Sequence, residues 1–154
     1  MTRWINNRYG IQLKENDLKS VRDFSLIWNI FEGTVCNNSF SITRVEQAIR
    51  NRDFSLDEFA PILDYFRDRY VSNNQTNQRF EQLHFRENDR KDFVADVLLG
   101  NHTGTKQIIL ALVIIVYRFR NNLFHGLKDV RFIGEQESNF DNANRVLTTI
   151  LNHF

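Results

Sequence analysis

Apolar residues recur at three- and four-residue steps along most of the chain, the spacing of helices that bury one face. Leu18, Val21, Phe24, Trp28, Phe31 and Val35 form the first stripe and predict a helix from Asn16 or Asp17 to near Gly33. Trp28 and its Phe neighbours on this stripe read as core. Asn37-Asn38-Ser39 reads as a loop, and Thr43 to Asn51 as a short helix with Val45, Ala48 and Ile49 inward. Ser55-Leu56-Asp57-Glu58 matches a capping box and opens a stronger helix with Phe59, Ile62, Leu63, Phe66 and Tyr70 on its apolar face. Pro61 inside that stripe predicts a kink or a later start. Ser72 to Gln78 is polar and aperiodic, a surface loop; Arg86 to Asp92 is charged and reads as solvated. Asp92 to Leu99 resumes the helical pattern and stops at Gly100-Asn101.

Ile108 to Val116 departs from this alternation, with nine consecutive apolar residues. Such a run also describes a buried strand, and length decides for helix. The pattern continues from Thr103 or Thr105 to Phe124 without a turn residue, about 20 residues and roughly 30 Å. Its first half is apolar on both sides and needs cover all round, from packed neighbours or from a second subunit. Leu127 to Asn139 reads as a loop with a short extended piece at Val130 to Ile133. A last helix follows from Asp141 through Ala143, Val146, Leu147, Ile150 and Leu151. With residues 1–13 as an arm or short first element, the expected fold is all-α: a single-domain bundle of about five to six helices spanning residues 1–154.

Composition supports this and narrows the function. The chain has 154 residues with only six Gly and one Pro, few turn formers for an all-β protein, and fourteen Phe as core material. The net charge of +1 argues against a protein that coats duplex DNA, so any nucleic-acid contact must come from a local patch. A single Cys, Cys36, excludes an internal disulfide and argues against a structural metal, making the cytoplasm the expected location. The first ten residues carry no secretory h-region, and the apolar run, flanked by Lys106 and Arg118, is too short to span a bilayer.

Candidate chemistry gathers where the apolar run ends. Arg118, Asn121, Asn122 and His125 share a side of the predicted helix. Arg120 stands apart, roughly 140° from His125 on an ideal helix. If both act on one substrate, the chain must leave the helical path at Gly126, or the two must come from different subunits. Arg118-Phe119-Arg120-Asn121-Asn122-Leu123-Phe124-His125-Gly126 resembles the signature of the HEPN superfamily, an Arg-x4-His motif with an Asn after the Arg and Phe-His-Gly at its close. The resemblance covers residues 105 to 151 and includes the closing helix from Asp141. Arg79-Phe80-Glu81-Gln82-Leu83-His84 repeats the bare spacing without the preceding buried helix, the Asn or the Gly, and reads as a solvated segment.

The resemblance implies a helical bundle that pairs as a homodimer through the central helix. It also implies a metal-independent endoribonuclease of bacterial defence or toxin–antitoxin type, without a cofactor. Its substrate would be single-stranded or loop RNA, and an antitoxin or regulatory protein would be a further partner. Arg120, Asn121 and His125 would be catalytic. Arg118, Asn122, Lys128 and Arg131 would contact substrate. The residue types fit independently. RNA carries its own nucleophile, the 2′-OH, His125 can move a proton near neutral pH, and the planar donors of Arg120 suit phosphate oxygens. Leu127 stands where a branch of the family places a tyrosine modified by a partner nucleotidyltransferase, so that form of control is not expected. The competing expectation is a non-catalytic module that binds RNA, nucleotide or a partner protein. On the blandest account, Arg120 and His125 complement the helix dipole while Asn121 and Asn122 satisfy carbonyls. His84, His102 and His153 read as surface or packing residues, and Asp129, Glu135 and Glu137 as a solvated loop.

Overall fold

A computed structural model of the protein describes residues 1–124 and 129–154, the latter part carrying the chain to its C-terminal residue. The described residues form an all-α bundle with eight α-helices, one of them a single turn. They are α1 (Thr2–Tyr9), α2 (Lys19–Cys36), α3 (Ile42–Arg50), α4 (Leu56–Tyr70), α5 (Gln78–Glu81), α6 (Lys91–Leu98), α7 (Thr105–Phe124) and α8 (Glu137–Leu151). Two 3₁₀ segments, Glu15–Leu18 and Val130–Gln136, lead into α2 and α8.

Helix α7 occupies the centre because its sequence leaves it no solvent-tolerant face. Ile108 to Val116 are at most 3% exposed, and the cover comes from α3, α4, α6 and α8 of the same chain. The apolar run therefore needs no second subunit to cover it. The most extensive helix pair is α2 with α8, where Phe24 meets Phe140 at 5.1 Å between ring centroids. Phe140 and Phe66 flank Phe119 of α7 at 6.0 and 5.9 Å, joining α4, α7 and α8 in one aromatic cluster. Trp28 is buried as expected, among Phe24, Phe31, Phe40 and Tyr117.

Several sequence expectations change. Of the arm or short first element expected for residues 1–13, the element is present as α1, ended by Gly10 in the left-handed region (φ 65), and Asn6 pins the turn by bonding both backbone groups of Leu13. Helix α2 runs past Gly33 to Cys36, and Asn37 and Asn38 supply the left-handed ending at φ 51 and 62. Helix α4 passes through Pro61 without interruption, and Glu58 closes its capping box by accepting the Ser55 N–H at 3.2 Å. The polar stretch after α4 is a small hairpin, β1 (Val71–Ser72) with β2 (Gln75–Thr76), antiparallel. Asn73 and Asn74 take φ of 53 and 60, the paired left-handed residues of a two-residue hairpin turn. Residues 79–84 are not solvated throughout, since Phe80 and Leu83 are core. Val130 to Ile133 is 3₁₀ rather than extended, and α8 starts at Glu137, before Asp141. No described helix is long and apolar enough to cross a membrane.

Candidate functional site

Five of the seven residues singled out from the sequence are described, and the structure divides them by what they touch. Calls on His125 and Lys128 lie outside the described residues.

Arg118 is turned into the protein. It is 1% exposed, and its Nη1 donates to Asp89 Oδ2 at 2.8 Å while Nε donates to the Leu83 carbonyl at 3.1 Å. Asp89 is itself buried and accepts the Arg86 N–H at 2.8 Å, so the expectation of a fully solvated 86–92 segment fails at this residue. Burial pulls the Arg118 guanidinium below its ordinary pKa and the Asp89 charge opposes this, as expected for a pair removed from water. Asn122, also 1% exposed, uses Nδ2 on the Leu83 and Gln82 carbonyls at 3.2 and 3.5 Å. Arg118 and Asn122 thus clamp the chain after α5 against the last turns of α7. Of the four residues expected on one side of α7, these two share a face that meets protein, and His125 lies outside the described residues.

Arg120 and Asn121 are placed differently. Asn121 is 1% exposed, and its Oδ1 accepts from Arg120 Nη1 at 3.0 Å, so the amide orients its neighbour's guanidinium. Asn121 Nδ2 is buried and has no hydrogen-bond partner among the described residues. A buried amide donor beside an arginine fork, at the end of a largely apolar helix, is polar capacity that the described residues do not consume. Arg131 is remote in character: its side chain is 56% exposed and it forks onto Asp129 of its own 3₁₀ segment, with two nitrogen–oxygen distances near 3 Å. That local ion pair raises the Arg131 pKa and lowers that of Asp129.

A second polar group stands at this end of the bundle, and the sequence reading passed over it. Tyr65 of α4 donates its hydroxyl to Asn139 Oδ1 at 2.7 Å, and Asn139 Nδ2 donates to Gln136 Oε1 at 2.7 Å. Burial raises the Tyr65 pKa, while Arg69 and Arg79 act in the opposite direction. Tyr65 and Asn139 each immediately precede an aromatic residue, Phe66 and Phe140, that packs on Phe119. The sequence pattern does not single out Tyr65 and places Asn139 at the end of a loop, whereas it lies inside α8. The signal was faint: an Asn that is 3% exposed within α8 can be recognised only once its partner on α4 is known.

Among the described residues, no group of three or more His, Cys, Asp and Glu side chains converges as a metal-ion site. No protein-family model matches the chain, and no curated protein and no solved structure matches it.

Proposed function

We propose that the chain is a metal-independent endoribonuclease of HEPN type, acting on single-stranded or loop RNA in a bacterial defence or toxin–antitoxin setting. The observation that carries this reading is the Arg120–Asn121 contact at 3.0 Å, with the buried Asn121 Nδ2 beside it left without a partner among the described residues. The RNA 2′-oxygen would attack the adjacent phosphorus, forming the 2′-O–P bond as the bond to the 5′-oxygen breaks. His125 takes the 2′-OH proton or protonates the departing 5′-oxygen, and Arg120 meets the charge that gathers on the phosphate oxygens. Products carry a 2′,3′-cyclic phosphate and a 5′-OH. The nucleophile belongs to the substrate, so no metal-activated water is required. Two copies would meet at the ends of their α7 helices, bringing Arg120 of one to His125 of the other and answering the separation of roughly 140° that an ideal helix would impose.

The decisive experiment incubates purified protein with total RNA in EDTA, followed by end-group analysis. Arg120→Ala and His125→Ala are each expected to lower cleavage by about 10² to 10⁴. Cleavage that survives both substitutions, or that EDTA abolishes, would overturn the reading. The commitment of Arg118 and Asn122 to internal contacts favours a second reading, a non-catalytic module binding RNA or a partner protein. Intact RNA together with a stable complex on gel filtration would support it.

A further inference from the structure

The group around Tyr65 holds more positive charge than its neighbours offset. Arg69 lies on α4 three residues past Phe66, and Arg79 lies in α5, the turn whose following carbonyls Asn122 holds against α7. Asn77 fixes these two arginines relative to each other. Its Nδ2 donates to the Arg69 carbonyl at 2.9 Å and its Oδ1 accepts the Arg79 N–H at 3.1 Å. Neither guanidinium takes part in an ion pair among the described residues. Arg69 Nε is shielded from solvent without a hydrogen-bond partner, and Arg79 is exposed.

The groups that could offset this charge are engaged elsewhere. Glu81, next along α5, pairs with Lys91 at 2.7 Å. Asp141 of α8, the carboxylate that also acts on Tyr65, acts on Lys19 as well and sets a single negative charge against the two guanidiniums. Tyr65, four residues before Arg69 on α4, gives its proton to Asn139 and cancels no positive charge. Two guanidiniums outside any ion pair among the described residues, one partly desolvated, are suited to an anion with several acceptor oxygens.

We propose that Arg69 and Arg79, whose chain segments Asn77 ties together, form a phosphate subsite that holds the backbone of a single-stranded RNA beside the end of α7. The identity of the strand rests on the ribonuclease reading; the subsite itself rests on the cluster. The segment from Arg79 to His84 then matters for its first residue, which α5 delivers to the strand, and not for its motif-like spacing.

The test measures binding of a fluorescein-labelled oligouridylate of about 12 nucleotides in the His125→Ala background, so that cleavage does not enter. Anisotropy titrations run between about 50 and 200 mM salt. Arg69→Gln with Arg79→Gln is expected to raise Kd about tenfold and to flatten the dependence of log K on log salt by roughly 1.4, two phosphate contacts at about 0.7 each. Arg79→Glu alone, an exposed substitution that spares the fold, must also weaken binding. Arg3→Gln with Arg8→Gln, an equal change of charge on exposed residues of α1, is expected to leave Kd and slope as they were. Unchanged binding in the Arg69/Arg79 pair, an equal loss in the α1 pair, or a parent protein that binds no RNA would each overturn the subsite. Protein with His125 intact that binds but does not cut defeats the ribonuclease reading alone.

Discussion

Arg118 and Asp89 make a closed account at the residue scale: one buried cation, one buried carboxylate, 2.8 Å apart, with a carbonyl and an amide taking other donors. Removing one partner strands the other charge away from water. Asp89→Ala or Arg118→Ala is therefore expected to destabilise by about 3 to 5 kcal/mol, whereas the paired apolar replacement Asp89→Leu with Arg118→Met costs much less than the sum. Urea melts of the four proteins check this, and additive losses would show that the charges do not depend on each other. The same pair explains where residue-level reading of the site stopped. Three- and four-residue spacing identifies which side of α7 carries Arg118 and Asn122. It cannot say whether that side meets solvent or a carboxylate 29 positions earlier in the chain. Asp89 sits in a run of charged residues, and one buried acid among solvated ones leaves no mark in the sequence.

Elements were legible in proportion to their length and to the strength of their own chemistry. Helix α7 was readable to its last residue because an unbroken 20-residue pattern admits no competing structure, and α4 because Ser55 and Glu58 announce its start. The hairpin of β1 and β2 was not readable. Its strands are two residues long, too short for alternation, and its turn depends on two asparagines adopting a conformation that they share with any polar loop. What holds this connection is Asn77, whose side chain caps α5 at the Arg79 and Phe80 N–H groups while bonding the Arg69 carbonyl and the Ser72 hydroxyl. Asn77→Ala is expected to cost about 1 to 2 kcal/mol, as the loss of an N-cap together with bonds to neighbouring chain. Thermal denaturation checks the stability. Asn77→Asp, which keeps the cap acceptor but loses the amide donor, is expected to recover only part of it; full recovery would assign the effect to the cap alone.

For the whole molecule, the decisive fact is that the core closes within one chain. Residues Ile108 to Val116, which as sequence called equally for neighbours or for a second subunit, are sheathed by α3, α4, α6 and α8. The apolar run of α7 is thus covered without a partner, yet the proposed mechanism calls for one to cut, because an ideal helix would set Arg120 and His125 roughly 140° apart. Folding and activity should therefore separate on dilution. Below the concentration at which gel filtration shows dissociation, helical circular dichroism and a cooperative melt are expected to persist while cleavage per chain falls with the dimer fraction. Mixing Arg120→Ala with His125→Ala chains should then restore part of the lost activity, since one of the two composite sites in each mixed dimer is intact. Helix that melts away on dissociation would mean that the core is shared after all. Cleavage per chain that stays constant through the monomer range, with no recovery on mixing, would place both groups in one subunit and require the chain after Phe124 to carry His125 back toward Arg120.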